Sequence, residues 1–165
     1  MWANEYIRMT AFCLRNGVFL CCLAVAAIQD MKNMRIPNGC HVAAVIAWIA
    51  AAGMIFDSFQ CTLPYIAAAA ICGGGLWLVT WLAESIRGKV LLGGGDIKLL
   101  AVAALYLGPS GILPAMLIAC AGGLICALIR RRGGKSGPFP FGPWIALGTA
   151  LMLLYGTALL LFYTS

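Results

Sequence analysis

Five acidic residues stand in this chain of 165, and one of them sits where a charge is costly. Asp96 follows Gly93, Gly94 and Gly95 in "KVLLGGGDIKLLAV", residues 89 to 102, a stretch that is otherwise mostly apolar. A carboxylate in such a place can serve as a general acid or base. Two of them can activate water: one, ionised, takes a proton while the other, protonated, gives one, because two close like charges do not both ionise cheaply. A partner for Asp96 must come from Glu5, Asp30, Asp57 or Glu84. Which of these can reach it depends on the elements that carry them.

Those elements are membrane spans. The chain is 63% hydrophobic and 10% charged, with a mean hydropathy of +0.97, whereas soluble domains carry about a quarter charged residues. A span needs about 17 to 25 mostly apolar residues, and candidates lie at roughly 11–29, 38–56, 63–83, 90–107, 111–129 and 143–163. The expected fold is therefore an all-α integral membrane bundle of about six helices. The connections are short and no internal repeat is evident, so residues 1–165 read as one domain. The first span does not read as a cleavable signal, since Gln29, Asp30 and a basic segment follow it where a small-residue cleavage site belongs.

Basic residues in short loops stay on the cytoplasmic side. Lys32 and Arg35 lie between the first two spans, Arg87 and Lys89 between the third and fourth, and Arg130, Arg131, Arg132 and Lys135 between the last two. "DSFQCT" (57–62), "GPS" (108–110) and the final "YTS" carry no Lys or Arg. Both termini are therefore expected outside. Arg8 and Arg15 run against the rule, with Arg15 able to snorkel to the outer interface. The net charge of +6 is topological and suits anionic lipid head groups; no nucleic-acid partner is implied.

This arrangement puts Glu5 and Asp57 on the wrong side and leaves two candidates for Asp96. Asp30 ends the first span and is tethered by "MKNMRIPN", where Pro37 stops one element and starts the next. Glu84 ends the third span; either could equally be a solvated helix-end residue. If the fourth span starts just after Lys89, Asp96 lies about 9 Å inside the boundary, a depth that calls for a bundle interior or a water-filled cavity. Its three glycines weaken the helix and clear side chains away, so an extended substrate could approach. The bland reading is a helix cap and a packing notch. Gly73-Gly74-Gly75, with no polar neighbour, is expected to be only such a notch. Lys98 is deeper still, and its ammonium is expected to neutralise or position a polar group, the acid pair or a substrate carbonyl.

None of the eight cysteines stands in a CxxC pair, so they read as small hydrophobes and no metal site is expected. His41, the one histidine, has no acidic neighbour and reads as an interfacial side chain. "RRRGGKSG" (130–137) reads as a topology anchor, with the holding of an acidic or lipid-proximal partner as its sharper alternative.

"DMKNMRIPN" (30–38) and "LGGGDIKLLA" (92–101) together resemble the type IV prepilin peptidase (leader peptidase) family, bacterial relatives of the GxGD membrane aspartyl proteases. The GxGD pattern falls on Gly93, Gly95 and Asp96, followed by Lys98 and Leu99. A third stretch, "PFPFGPWIALG" (138–148), is similar to the family's P-F-G-P sequence before its last helix, on Pro140, Phe141, Gly142 and Pro143. The resemblance implies a multi-pass enzyme of the bacterial cytoplasmic (inner) membrane. It would remove the basic leader of type IV prepilins or pseudopilins at the cytoplasmic face, with Asp30 and Asp96 as catalytic aspartates and no cofactor. Long forms of the family carry a further cytoplasmic segment, often with CxxC pairs, after the first helix and also N-methylate the product. Only Met31 to Asn38 stand there, so the likeness is to the short, peptidase-only branch. The rival reading is a small transporter or a non-catalytic secretion or pilus assembly subunit. A transporter would usually show paired interrupted helices, and no second GGGD-like break is seen.

Overall fold

A computed structural model describes residues 2–56, 59–88, 92–134 and 139–164. Asp57, Lys89 and Lys135, used in the loop assignments above, lie outside these. The described residues form five helices: α1 (Trp2–Asn33), α2 (Asn38–Ile55), α3 (Phe59–Arg87), α4 (Gly94–Arg132) and α5 (Gly142–Thr164). Four contain stretches long and apolar enough to cross a membrane, Tyr6–Asn33, Asn38–Ile55, Phe59–Ile86 and Gly94–Arg132, the mark of a multi-pass membrane protein.

The helices differ from the expected spans in two ways. α1 runs from Trp2 to Asn33, well past both ends of 11–29, because nothing in its flanks breaks a helix. The spans expected at 90–107 and 111–129 belong to one element, α4, which starts late and is broken at Gly108 (φ 67°, ψ −174°). The late start has a cause in the sequence: Gly93 is extended (φ −65°, ψ 142°), and successive glycines give up about 1 kcal/mol each against alanine in a helix. Counted from Gly94, Asp96 lies in the first turn, and the arm from Gly94 to Leu107 rises only about 21 Å. Pro109 directly follows the Gly108 break, at the start of the second arm, where its missing N–H would have been unpaired anyway, and Pro114 lies within that arm.

α4 is the centre of the bundle, packed against α3, α5 and α2, while α1 packs against α2 and α5. Ala26, Ala103 and Ala104 are completely buried beside Phe19, Leu23, Leu99 and Ile145, and such small residues let helix backbones approach closely. Gly73 makes one close approach, since a Cβ there would stand 2.9 Å from the Ala101 Cβ on α4. Gly123 makes another, against the Phe141 ring. At Gly108 the left-handed backbone and a Tyr65 ring 2.9 Å from any added Cβ both demand glycine. The outward side chains are apolar, Ile71, Trp77, Leu117 and Ile129 among them, the inverse of a soluble surface.

Arg15 does not snorkel. It is buried, its Nε and Nη2 donate to Asn16 Oδ1 (3.2 and 3.0 Å), and its guanidinium lies over the Phe12 and Tyr106 rings at 4.8 and 5.1 Å. Aromatic faces make a desolvated cation tolerable. His41, expected at an interface, is also buried, with neither ring nitrogen hydrogen-bonded among the described residues.

Candidate active site

α1 ends because Met34 turns left-handed (φ 51°), with its N–H donating to the Asp30 carbonyl at 2.9 Å. This leaves Asp30 one turn from the helix end, yet buried. Its carboxylate is held from α5: the Gly142 N–H donates to Asp30 Oδ2 at 2.8 Å. Gly142 is the first residue of α5, so the carboxylate takes one of the N–H groups that a helix start leaves unpaired and sits at the positive end of its dipole. A Cβ at Gly142 would lie 2.8 Å from that same oxygen. Only glycine lets the backbone come so near, which gives the Phe141-Gly142-Pro143 stretch a physical reason.

Asp96 arrives from the other side, in the first turn of α4. It is not the N-cap, which is Gly93; its carboxylate reaches back to the backbone of Gly93 across the first turn. Its Oδ1 is buried without a partner among the described residues, and an unmatched buried oxygen costs roughly 1–3 kcal/mol. Asp30 and Asp96 are within electrostatic range of one another. They line a single cavity of about 320 Å³ with Met34, Arg35, Ile36, Asn38 and Gly93 to Gly95. Glu84, the competing candidate, is exposed on α3 and is not among the residues lining this cavity.

Each glycine of the triplet has a different neighbour. A Cβ on Gly93 would meet Asp96 Oδ2 at 3.2 Å; one on Gly95 would meet the Ile36 Cβ at 3.3 Å; one on Gly94 would meet nothing within 4 Å. The chain's own α1–α2 link therefore occupies the space beside Gly95, and Gly94 is the open one. Lys98 Nζ donates to Asn38 Oδ1 at 3.1 Å. Pro140 and Pro143, on either side of Phe141 and Gly142, are half-buried. Ile36 and Asn38 are site residues that sequence reasoning did not single out. Both lie in "DMKNMRIPN", but no spacing rule joins them to partners some 60 positions away.

The sequence model described as the Type IV leader peptidase family matches residues 17–128. The chain belongs to the type IV leader peptidase family. It is similar to the prepilin leader peptidase/N-methyltransferase of Bacillus subtilis (strain 168), 34% identical over 151 residues, covering 88% of this chain and 57% of that protein. The protein of the same name from Xanthomonas campestris pv. campestris is 28% identical over 148 residues, 87% of this chain and 51% of the relative. That from Burkholderia pseudomallei (strain K96243) is 32% identical over 145 residues, 86% and 46%. The chain thus spans about half the length of the curated relatives it matches. No solved structure matches it. Membership in this leader peptidase family does not favour the transporter reading.

Proposed function

We propose that this chain is a membrane aspartyl endopeptidase that removes the leader of prepilins or pseudopilins, with Asp30 and Asp96 as its catalytic pair. The observation that carries this reading is the shared cavity: two carboxylates from helices 66 positions apart in sequence face the same 320 Å³ space. In the proposed reaction an ionised carboxylate accepts a proton from water as its oxygen attacks the scissile carbonyl carbon. The other, protonated, hydrogen-bonds the carbonyl oxygen and passes its proton toward it. Collapse of the tetrahedral intermediate breaks the C–N bond, and the amine leaves with a proton returned from the pair. With Oδ2 of Asp30 engaged by Gly142, its Oδ1 is the oxygen available to the water. The unpartnered Oδ1 of Asp96 is suited to the substrate side.

The finer topology belongs to the same proposal: six crossings, both termini outside, and the site at the cytoplasmic face of the bacterial inner membrane. Gly108 would divide α4 into two antiparallel arms. Support comes from the arm after it, where Gly123 packs on Phe141, the residue next to Gly142 and hence to Asp30. Cysteines introduced as Gly133→Cys and Phe59→Cys in a background without other cysteines should be labelled from inside and outside respectively. The reverse pattern would move the site to the wrong face.

Of the two activities in the relatives' name, only the peptidase step is proposed. The α1–α2 link from Met34 to Pro37 has no cysteine and a single polar side chain, Arg35, short of the hydrogen-bonding lining that a methyl donor's pocket takes. Co-expression with prepilins encoded beside it tests both parts: leader loss on a gel, then the mass of the mature pilin. Cleavage to a free amine is expected, and Glu84→Gln should retain it. No leader loss with any such prepilin overturns the peptidase, and a gain of one methyl group overturns the restriction to one step.

A further inference from the structure

Lys98 stands two residues beyond Asp96, and positions i and i+2 of a helix do not share a face. It therefore points away from the acid pair, and its ammonium goes instead to Asn38 Oδ1 at 3.1 Å. That contact fixes more than a distance. An ammonium has donors only, while a carboxamide has one acceptor oxygen and a donor nitrogen. Lys98 can bond only Oδ1, so the Asn38 amide has one chemically permitted orientation, with Nδ2 directed elsewhere. Among the described residues no acceptor takes Nδ2.

Asn38 opens α2 behind the extended Pro37 and lines two cavities. One is the 320 Å³ space of Asp30 and Asp96. The other, about 700 Å³, is formed by Gln29, Asn33, Arg35, Ile36, Pro37 and Asn38. Arg35, Ile36 and Asn38 border both, so the two lie side by side at the α1–α2 link. The larger one also holds an amide pair, Asn33 Nδ2 donating to Gln29 Oε1 at 3.0 Å. Carboxamides beside the acid pair suit a ligand with alternating C=O and N–H groups, which is an extended peptide backbone.

We infer that Asn38 Nδ2 donates to a backbone carbonyl of the bound peptide beside the scissile bond, and that Lys98 is a positioning residue that acts through Asn38. This rests on the peptidase reading. The Lys98–Asn38 pair acts on the substrate, and it ties the mouth of α2 to α4, so the donor and Asp96 are carried by linked elements.

The test uses the full chain in lipid nanodiscs and a synthetic prepilin peptide that wild type cleaves. Asn38→Leu removes acceptor and donor, and should lower kcat/KM by about tenfold, as the loss of one productive hydrogen bond does. Asn38→Asp keeps the acceptor for Lys98 but has no donor; it should lose at least as much. Lys98→Met leaves Asn38 unanchored, should cost less than Asn38→Leu, and should add nothing when combined with it. Melting temperatures of all three should stay close to wild type. Wild-type rates in Asn38→Leu, or in Asn38→Asp, overturn the inference, as does a Lys98→Met loss that adds fully to that of Asn38→Leu. The peptidase reading is judged separately: it fails if Asp30→Asn, run beside these, cleaves like wild type.

Discussion

Gly73-Gly74-Gly75 and Gly93-Gly94-Gly95 are the same tripeptide in two settings, and they do different things. The first triplet lies mid-way along α3 with Ile71 and Cys72 before it and Leu76 and Trp77 after it. There the helix continues unbroken, since a backbone in hydrocarbon has no other partner for its N–H and C=O groups. Gly73 then takes the Ala101 methyl of α4 into the missing side chain's space. The second triplet lies where α4 begins, and its first glycine is extended. Its neighbours are a carboxylate, the Ile36 side chain and an open cavity. Three glycines do not make a site; the acid beside them and the helix end that exposes them do.

Substitutions separate the two triplets by what they damage. Among these the largest effect is expected at a glycine of neither triplet, Gly142→Ala at the start of α5, whose Cβ would displace Asp30 Oδ2 from 2.8 Å. A shift of about 1 Å in a catalytic group can cost on the order of a hundredfold, so kcat/KM should fall by about that factor while the melting temperature barely moves. Gly95→Ala comes next. Its methyl presses on Ile36 at 3.3 Å and should lower activity by several-fold through the α1–α2 link, read as kcat/KM in a leader-cleavage assay. Gly73→Ala should do the opposite. Overpacking against Ala101 at 2.9 Å should cost about 1–3 kcal/mol of stability, with the activity of the folded fraction unchanged. Gly74→Ala, with no atom within 4 Å, should be the smallest, neutral or stabilising by up to about 1 kcal/mol. If Gly73→Ala instead lowered specific activity while Gly95→Ala lowered only stability, the two triplets would have been assigned the wrong way round.

The sequence made some of this legible and hid the rest for identifiable reasons. Asp96 was visible because a charge stands out in an apolar run, whereas Asp30 was one of two acids left on the same side, and only the resemblance to the leader peptidases chose it over Glu84. The helical membrane class followed from hydropathy alone. The contact that holds Asp30 did not, because its donor is the backbone N–H of Gly142, and a backbone group has no letter of its own. Arg15 looked like an interfacial residue because sequence shows its charge but not the Phe12 and Tyr106 rings that cover it. Hydropathy found apolar runs on both sides of 108–110 but could not show that the backbone of one residue, Gly108, makes the break between them. Lys98 was recognised as needing a polar partner, but Asn38 could be found only once two distant segments had been brought together.

The account stands most directly on Asp30 and Asp96 acting as one unit. The decisive measurement is the rate of leader cleavage by purified wild type, Asp30→Asn, Asp96→Asn and the double variant, each confirmed folded in the same membrane mimic. Residues that act together are strongly non-additive, so each single variant should lose cleavage to the assay floor and the double should be no worse. Measurable cleavage in either single variant, or losses that multiply in the double, would contradict a shared water-activating pair and remove that residue from the mechanism.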